Sequence, residues 1–211
     1  MENQIRAGDV VGYAIHAKDG TIGRLSEFYF DDSTWAVRYA VVDVGNWLLH
    51  RKVLLSHEVL GRPDVDGRYI PTSIGMEQVR TSPKIKTDMP VALQHQAELH
   101  AHYGWDMYWG AEALTGDSNV DTFLPQAPVN LGGKPFDPHL RTTRIVTGHR
   151  VIGRDGPIGR VEDFLIDGSN WTIRHLVVRT DDGRLTDILP SAIRRISFEA
   201  AAVFTDYSAT G

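Results

Sequence analysis

Few spacings in this 211-residue chain bring reactive side chains together. His57-Glu58-x-x-Gly61 places glycine where a zinc-protease helix needs its second histidine, one turn from the first. It reads instead as an exposed turn after the apolar triplet Val53-Leu54-Leu55. Gly132-Gly133-Lys134-Pro135 lacks both the preceding glycine spacing and the Ser/Thr that a phosphate loop uses to hold magnesium. There is no Gly-x-Ser-x-Gly nucleophile elbow. His95, His100 and His102 fall in a stretch with helical character. On a helix His95 and His102 share a face but lie about 10.5 Å apart, too far to bind one ion at about 2.0–2.1 Å each. Glu98 and His102, at i and i+4, would be a ligand pair only if another segment supplied more ligands. These residues read as a polar face, with Glu98 placed to favour a charged histidine. The acidic pairs Asp31/Asp32 and Asp181/Asp182 fall in turns, where Asp bonds its own backbone. No catalytic, metal or cofactor set emerges, and the chain is expected not to be an enzyme.

Two other groups could act by contact. Arg24 and Arg38 recur as Arg160 and Arg174. A pair of surface arginines binds carboxylate or phosphate on a partner, or bridges an acid on a neighbouring strand; Glu27 and Asp163 are the candidate acids, and the structural bridge is the favoured reading. The cluster Tyr103, Trp105, Tyr108 and Trp109 carries large apolar surface with polar tips. It suits packing against its own module or the other copy, a homodimer or partner contact, or a ligand groove.

The elements that position these residues come from a duplication. With a shift of 136 positions, 12 of the 24 residues from Asp19 to Val42 are identical to Asp155–Val178. The match resumes after a one-residue gap at Ser56 and Ser191. Each copy reads as strands. Asp19-Gly20 and Asp155-Gly156 are tight-turn dipeptides. The strand at Trp35–Val41 places Trp35, Val37, Tyr39 and Val41 on one face, with Arg38 opposite, and Trp171, Ile173, His175 and Val177 repeat that face. Asp31–Thr34 and Asp167–Asn170 are polar turns. Gly23 and Gly159 mark bulges or bends. The fold expected is mainly β: two small antiparallel barrels, each filling its own interior. Residues 1–71 form the first barrel, 72–114 a helical and aromatic insert, 115–143 a Pro/Gly-rich linker and 144–211 the second barrel. Within the insert, 72–80 and 88–103 read as helices.

Composition sets the outer bounds. The hydrophobic content of 42% is ordinary for a globular protein. The absence of cysteine excludes disulfide scaffolds, thiolate metal sites and cysteine nucleophiles. A net charge of −5 lacks the basic excess of a nucleic-acid binder, so no DNA partner is expected. With no signal-like N-terminal stretch and no apolar run of membrane-span length, the expectation is a soluble cytoplasmic chain without direct membrane insertion.

The string Gly12…Asp19-Gly20-x-Ile22-Gly23-x-Leu25…Phe28…Asp31…Trp35…Arg38…Val41-Val42 resembles the PRC-barrel. That domain is named for the cytoplasmic part of the photosynthetic reaction-centre H subunit and also forms the C-terminal half of ribosome-maturation factors. The segments Gln78–Pro83, Pro90…Gln94-His95…Glu98-Leu99 and Tyr103-Gly104-Trp105…Tyr108-Trp109 are similar to the helical and aromatic tail of bacterial tandem members. Copy two lacks this tail. The resemblance implies an assembly or adaptor module without a shared enzymatic activity, hence a protein-binding scaffold. The alternatives are an RNA- or ribosome-associated maturation factor, resting on His50-Arg51-Lys52 and Arg194-Arg195, and a peripheral partner of a photosynthetic or respiratory membrane complex.

Overall fold

The computed structural model describes residues 4–45, 51–82, 99–105 and 139–208. The first half runs β1 (Gln4–Arg6), α1 (Ala7–Val10), β2 (Ala14–Ala17), β3 (Gly20–Asp31), β4 (Val37–Asp43), β5 (Lys52–Ser56), a 3-10 turn (His57–Val59), β6 (Tyr69–Pro71) and α2 (Met76–Arg80). Residues 99–103 are also helical. The second half runs β7 (Leu140–Thr142), α3 (Thr143–Val146), β8 (Arg150–Gly153), β9 (Gly156–Asp167), β10 (Thr172–Thr180), β11 (Leu185–Ile188), a 3-10 turn (Pro190–Ala192), β12 (Ile193–Ser197) and β13 (Ala202–Thr205).

The chain is mainly β and forms two sheets of matching order. One is β5-β4-β3-β2-β6; the other is β11-β10-β9-β8-β13-β12. Pairing is antiparallel except for β6 on β2 and β13 on β8, which are parallel in equivalent register: Ile15 faces Ile70, and Val151 faces Val203. The two first strands are exchanged. β1 pairs with β9 of the second half, Gln4 opposite Asp167, while β7 pairs with β3 of the first half, Leu140 opposite Asp31. Each sheet is completed by a strand from the other half. Residues 140–143, expected to end the linker, are therefore strand and helix.

The gap in the duplication is three residues rather than one. Leu55 pairs with Ala40 and Ile188 with Leu176, and Ser56 and Leu189 precede the two 3-10 turns. The counterpart of Ser56 is Leu189, not Ser191, so the offset falls from 136 to 133 across a shorter β10–β11 hairpin.

Strict alternation along β4 also fails. Phe30 faces Val37 and Tyr29 faces Tyr39, which leaves Arg38 as an extra residue, a bulge that inverts the pattern beyond it. Val37, Ala40 and Val42 enter the core, whereas Tyr39 and Val41 join a separate cluster on the other face. Arg174 is the matching bulge in β10, between Ile173 and His175. The expected hairpin dipeptides shift by one: Ala17 pairs with Gly20 and Gly153 with Gly156, so the loops are Lys18-Asp19 and Arg154-Asp155. Gly23 and Gly159 are required by close approach, since a Cβ on either would strike the carbonyl of Asp43 or Arg179.

Two separate interiors were expected, but one core spans both halves. Phe30 lies 5.3 Å from Phe164 and Phe28 lies 5.5 Å from Trp171, centroid to centroid. Trp35 and Trp171 hold positive φ of 58° and 56° at the ends of their turns. Their carbonyls accept from the other half: Ile173 N donates to Trp35 O and Val37 N to Trp171 O, both at 2.8 Å. The helix expected over 72–80 is shorter, at Met76–Arg80. Of that expected over 88–103, residues 99–103 are helical and the rest lie outside the described residues.

Candidate functional site

The repeated arginines all have partners within the fold. Arg24 donates to Gly12 O at 2.8 Å and Arg160 to Gly148 O at 3.0 Å. Those glycines take φ of 84° and 86° after α1 and α3, so each arginine secures the turn that leaves a helix. Arg38 donates to Asp31 and Arg174 to Asp167, both at 3.0 Å. Placed on the bulges, these side chains reach back to the Asp that opens each turn. Burial pushes the Asp31 pKa up, but bonds from Ser33, Arg38 and Thr34 outweigh it and leave the carboxyl below its ordinary range. Asp167 is held down to about 2, first by the Ser169 hydroxyl and amide and then by Arg174.

The acids expected as partners are engaged elsewhere. Glu27 pairs with Arg144 Nε at 3.2 Å, and Asp163 accepts from Gly8 N at 3.0 Å. These contacts are counterparts, because Arg144 on α3 and Gly8 on α1 occupy matching places and each faces a β-strand of the other half. Among the acidic pairs, Asp32 holds His139 at 2.9 Å and Arg141 at 2.8 Å, while burial pushes its pKa up. Asp182 bonds Arg184 at 2.7 Å within its own turn.

Tyr103 and Trp105 stack at 4.3 Å with planes 11° apart. They pack on the outer face of the first sheet, where the β4 bulge has turned Tyr39 and Val41 to meet Tyr29, Leu54, Leu99 and Leu140. Burial pushes the Tyr103 pKa up against the opposing effects of Ser82 and Arg51. Tyr108 and Trp109 lie outside the described residues. His100, expected on a polar face, is buried. Its Nε2 meets Tyr39 Oη at 2.8 Å, and its ring stands edge-on to Trp105. The only sequence clue was Tyr39, and that clue is hidden until the bulge is known. His102 bonds Gln78 O at 2.9 Å. His95, Glu98 and Gly132–Pro135 lie outside the described residues. His57 begins a 3-10 turn, half-buried, and burial lowers its pKa.

This aromatic face is not repeated. The positions of Tyr29, Tyr39, Leu54 and Leu140 are taken by Leu165, His175, Asp187 and Gln4 on the second sheet. Among the described residues, no three His, Asp or Glu side chains stand together to hold a metal ion, and no helix is long and apolar enough to cross a membrane.

The PRC-barrel domain family model matches residues 2–76, from the strand before α1 to the first residue of α2. No curated protein matches the chain.

Proposed function

We propose that the chain is a non-enzymatic tandem PRC-barrel protein, with a second copy in residues 140–208, and that it serves as a protein-binding or assembly scaffold. The copy assignment is supported by the equivalent strand order, the equivalent bulges at Arg38 and Arg174, and the paired Trp35 and Trp171 turns.

The observation that carries the scaffold reading is where the repeated charges go. Arg24, Arg38, Arg160 and Arg174 bond to the fold's own carbonyls and carboxylates. They fix one turn and one helix exit in each copy, around a core that both copies share. Such a platform presents surfaces that need little ordering on binding. Within the basic stretches that would favour RNA, Arg51 donates to Val79 O and Ser82, and the Arg195 guanidinium lies over Phe204 at 4.6 Å.

Affinity purification of the tagged full chain from its native cell, followed by mass spectrometry, tests this. A protein partner in near-stoichiometric amount, retained at high salt, is expected. Ribosomal particles released by raised salt would support the maturation-factor alternative and overturn the scaffold.

A further inference from the structure

The two sheets carry different charges in one equivalent row across their outer faces. Residues directly opposite on neighbouring strands share a face. In the first sheet the row runs Tyr69, Ala14, Arg24, Asp43 and Lys52 across β6, β2, β3, β4 and β5. An acid stands between two bases, so the charges alternate. In the second sheet the row runs Ala202, Arg150, Arg160, Arg179 and Leu185 across β13, β8, β9, β10 and β11. Three arginines stand side by side on strands about 4.8 Å apart.

Like charges directly opposite one another destabilise a sheet. The fold does not call for them, because the first half builds the same strands with Ala14 and Asp43 in the places of Arg150 and Arg179. Arg160 shares a structural role with Arg24, yet its bond to Gly148 O engages Nη1 and leaves other N–H groups of the fork. Arg150 is exposed, and its side chain makes no hydrogen bond or ion pair among the described residues.

Arg179 shows what the row accepts. Its Nε and Nη2 donate to the two carboxylate oxygens of Glu162 at 3.0 and 2.7 Å, and its Nη1 reaches Gly183 O at 3.4 Å. Arg179, with a smaller contribution from Arg6, holds the Glu162 carboxyl below its ordinary range. Glu162 belongs to this copy alone, since Ser26 is the matching extra residue of the β3 bulge. Among the described residues it is the one carboxylate bonded to the three arginines.

We infer that Arg150 and Arg160 form, beside Arg179, a docking surface for an acidic segment of a partner polypeptide, whose carboxylates take these two guanidinium groups as Glu162 takes the third. The two-bond contact to a carboxylate is the geometry in which arginine differs from lysine. A chain of net charge −5 repels such a segment over most of its surface, so a local basic row sets where it lands. The inference deepens the protein-binding reading and rests on it. It adds that the partner is acidic where it touches, and that it meets the second sheet rather than the first.

Fluorescence anisotropy of a labelled octaglutamate peptide, titrated with the full chain at low salt, tests the row. Binding to wild type is expected, weakened about tenfold or more by Arg150→Glu and unchanged by Lys52→Glu on the first sheet. Arg150→Ala, which removes no bond of the fold, is expected to melt with wild type and to weaken binding by a smaller factor. No binding, or an equal loss in Lys52→Glu, would overturn the surface. A labelled oligouridylate, or a vesicle containing phosphatidylserine, that binds through Arg150 more tightly than the peptide would overturn the acidic polypeptide as its ligand. A cellular partner recovered equally by wild type and Arg150→Glu would remove the row as its site and leave the scaffold. Peptide binding that depends on Arg150, with no protein partner recovered from the cell, would remove the scaffold reading and leave the row as a carboxylate site.

Discussion

The amide of Val37 donates to the carbonyl of Trp171 at 2.8 Å, and the amide of Ile173 returns the bond to Trp35 at the same distance. These two bonds join the halves at backbone level, beside the aromatic contacts of Phe28 and Phe30. A chain joined in this way is expected to unfold as one unit.

Trp171→Ala removes a side chain only 2% exposed, along with its bond to Leu60 O. The expected cost is about 3–5 kcal/mol. Urea unfolding followed by far-UV circular dichroism and by exchange at first-half amides is expected to show one coincident transition in wild type and variant. Separate transitions for the halves would contradict the shared core.

Gly23→Ala and Gly159→Ala each drive a methyl into a facing strand carbonyl. Each is expected to destabilise by about 2 kcal/mol or more, beyond the usual surface effect. Gly12→Ala, with open space around its Cβ but φ of 84°, pays only the left-handed strain of about 1–2 kcal/mol. Thermal melts of the three variants give the order.

Asp167 titrates near 2, below an ordinary value of 3.8. A depressed carboxyl stabilises the fold above its unfolded pKa, and that contribution fades as pH falls through the folded value. The stability gap between wild type and Asp167→Asn is therefore expected to be constant from pH 7 to 5 and to shrink from pH 4 to 2. A gap that does not change across this range would exclude the Ser169 and Arg174 bonds as its source.

Tyr39→Phe deletes the hydroxyl that meets His100 and so removes a buried hydrogen bond. The expected loss is about 1–3 kcal/mol. Trp105→Ala is expected to loosen residues 99–105 on the sheet. Amide exchange at Leu99 and His100 rises, while the mass by analytical ultracentrifugation stays that of wild type.

Much of the architecture was legible because it was written twice. The recurrence of Gly23, Trp35 and Arg38 located the turns and strands to within two residues, the strand expected at Trp35–Val41 lying at Val37–Asp43, since backbone needs at those points select particular residue types. The bulge was not legible. An arginine between apolar residues looks the same whether it faces outward in a regular strand or sits as the extra residue, and only pairing across to Tyr29 and Phe30 distinguishes them. The burial of His100 depends on that bulge and was hidden with it. The exchange of β1 and β7 was invisible for a different reason: Gln-Ile-Arg and Leu-Arg-Thr are too short to carry a pattern, and nothing local tells a strand which sheet it will join.

That exchange also sets an order of events during synthesis. When the first half leaves the ribosome, the end of β3 at Tyr29–Asp31 pairs with β4 on one edge only, and its other edge has no strand until Leu140–Thr142 has been translated. β1, already made, must wait longer still for β9. The nascent chain thus carries an open sheet edge through the synthesis of the whole insert, the state in which neighbouring chains on one messenger are most prone to pair wrongly.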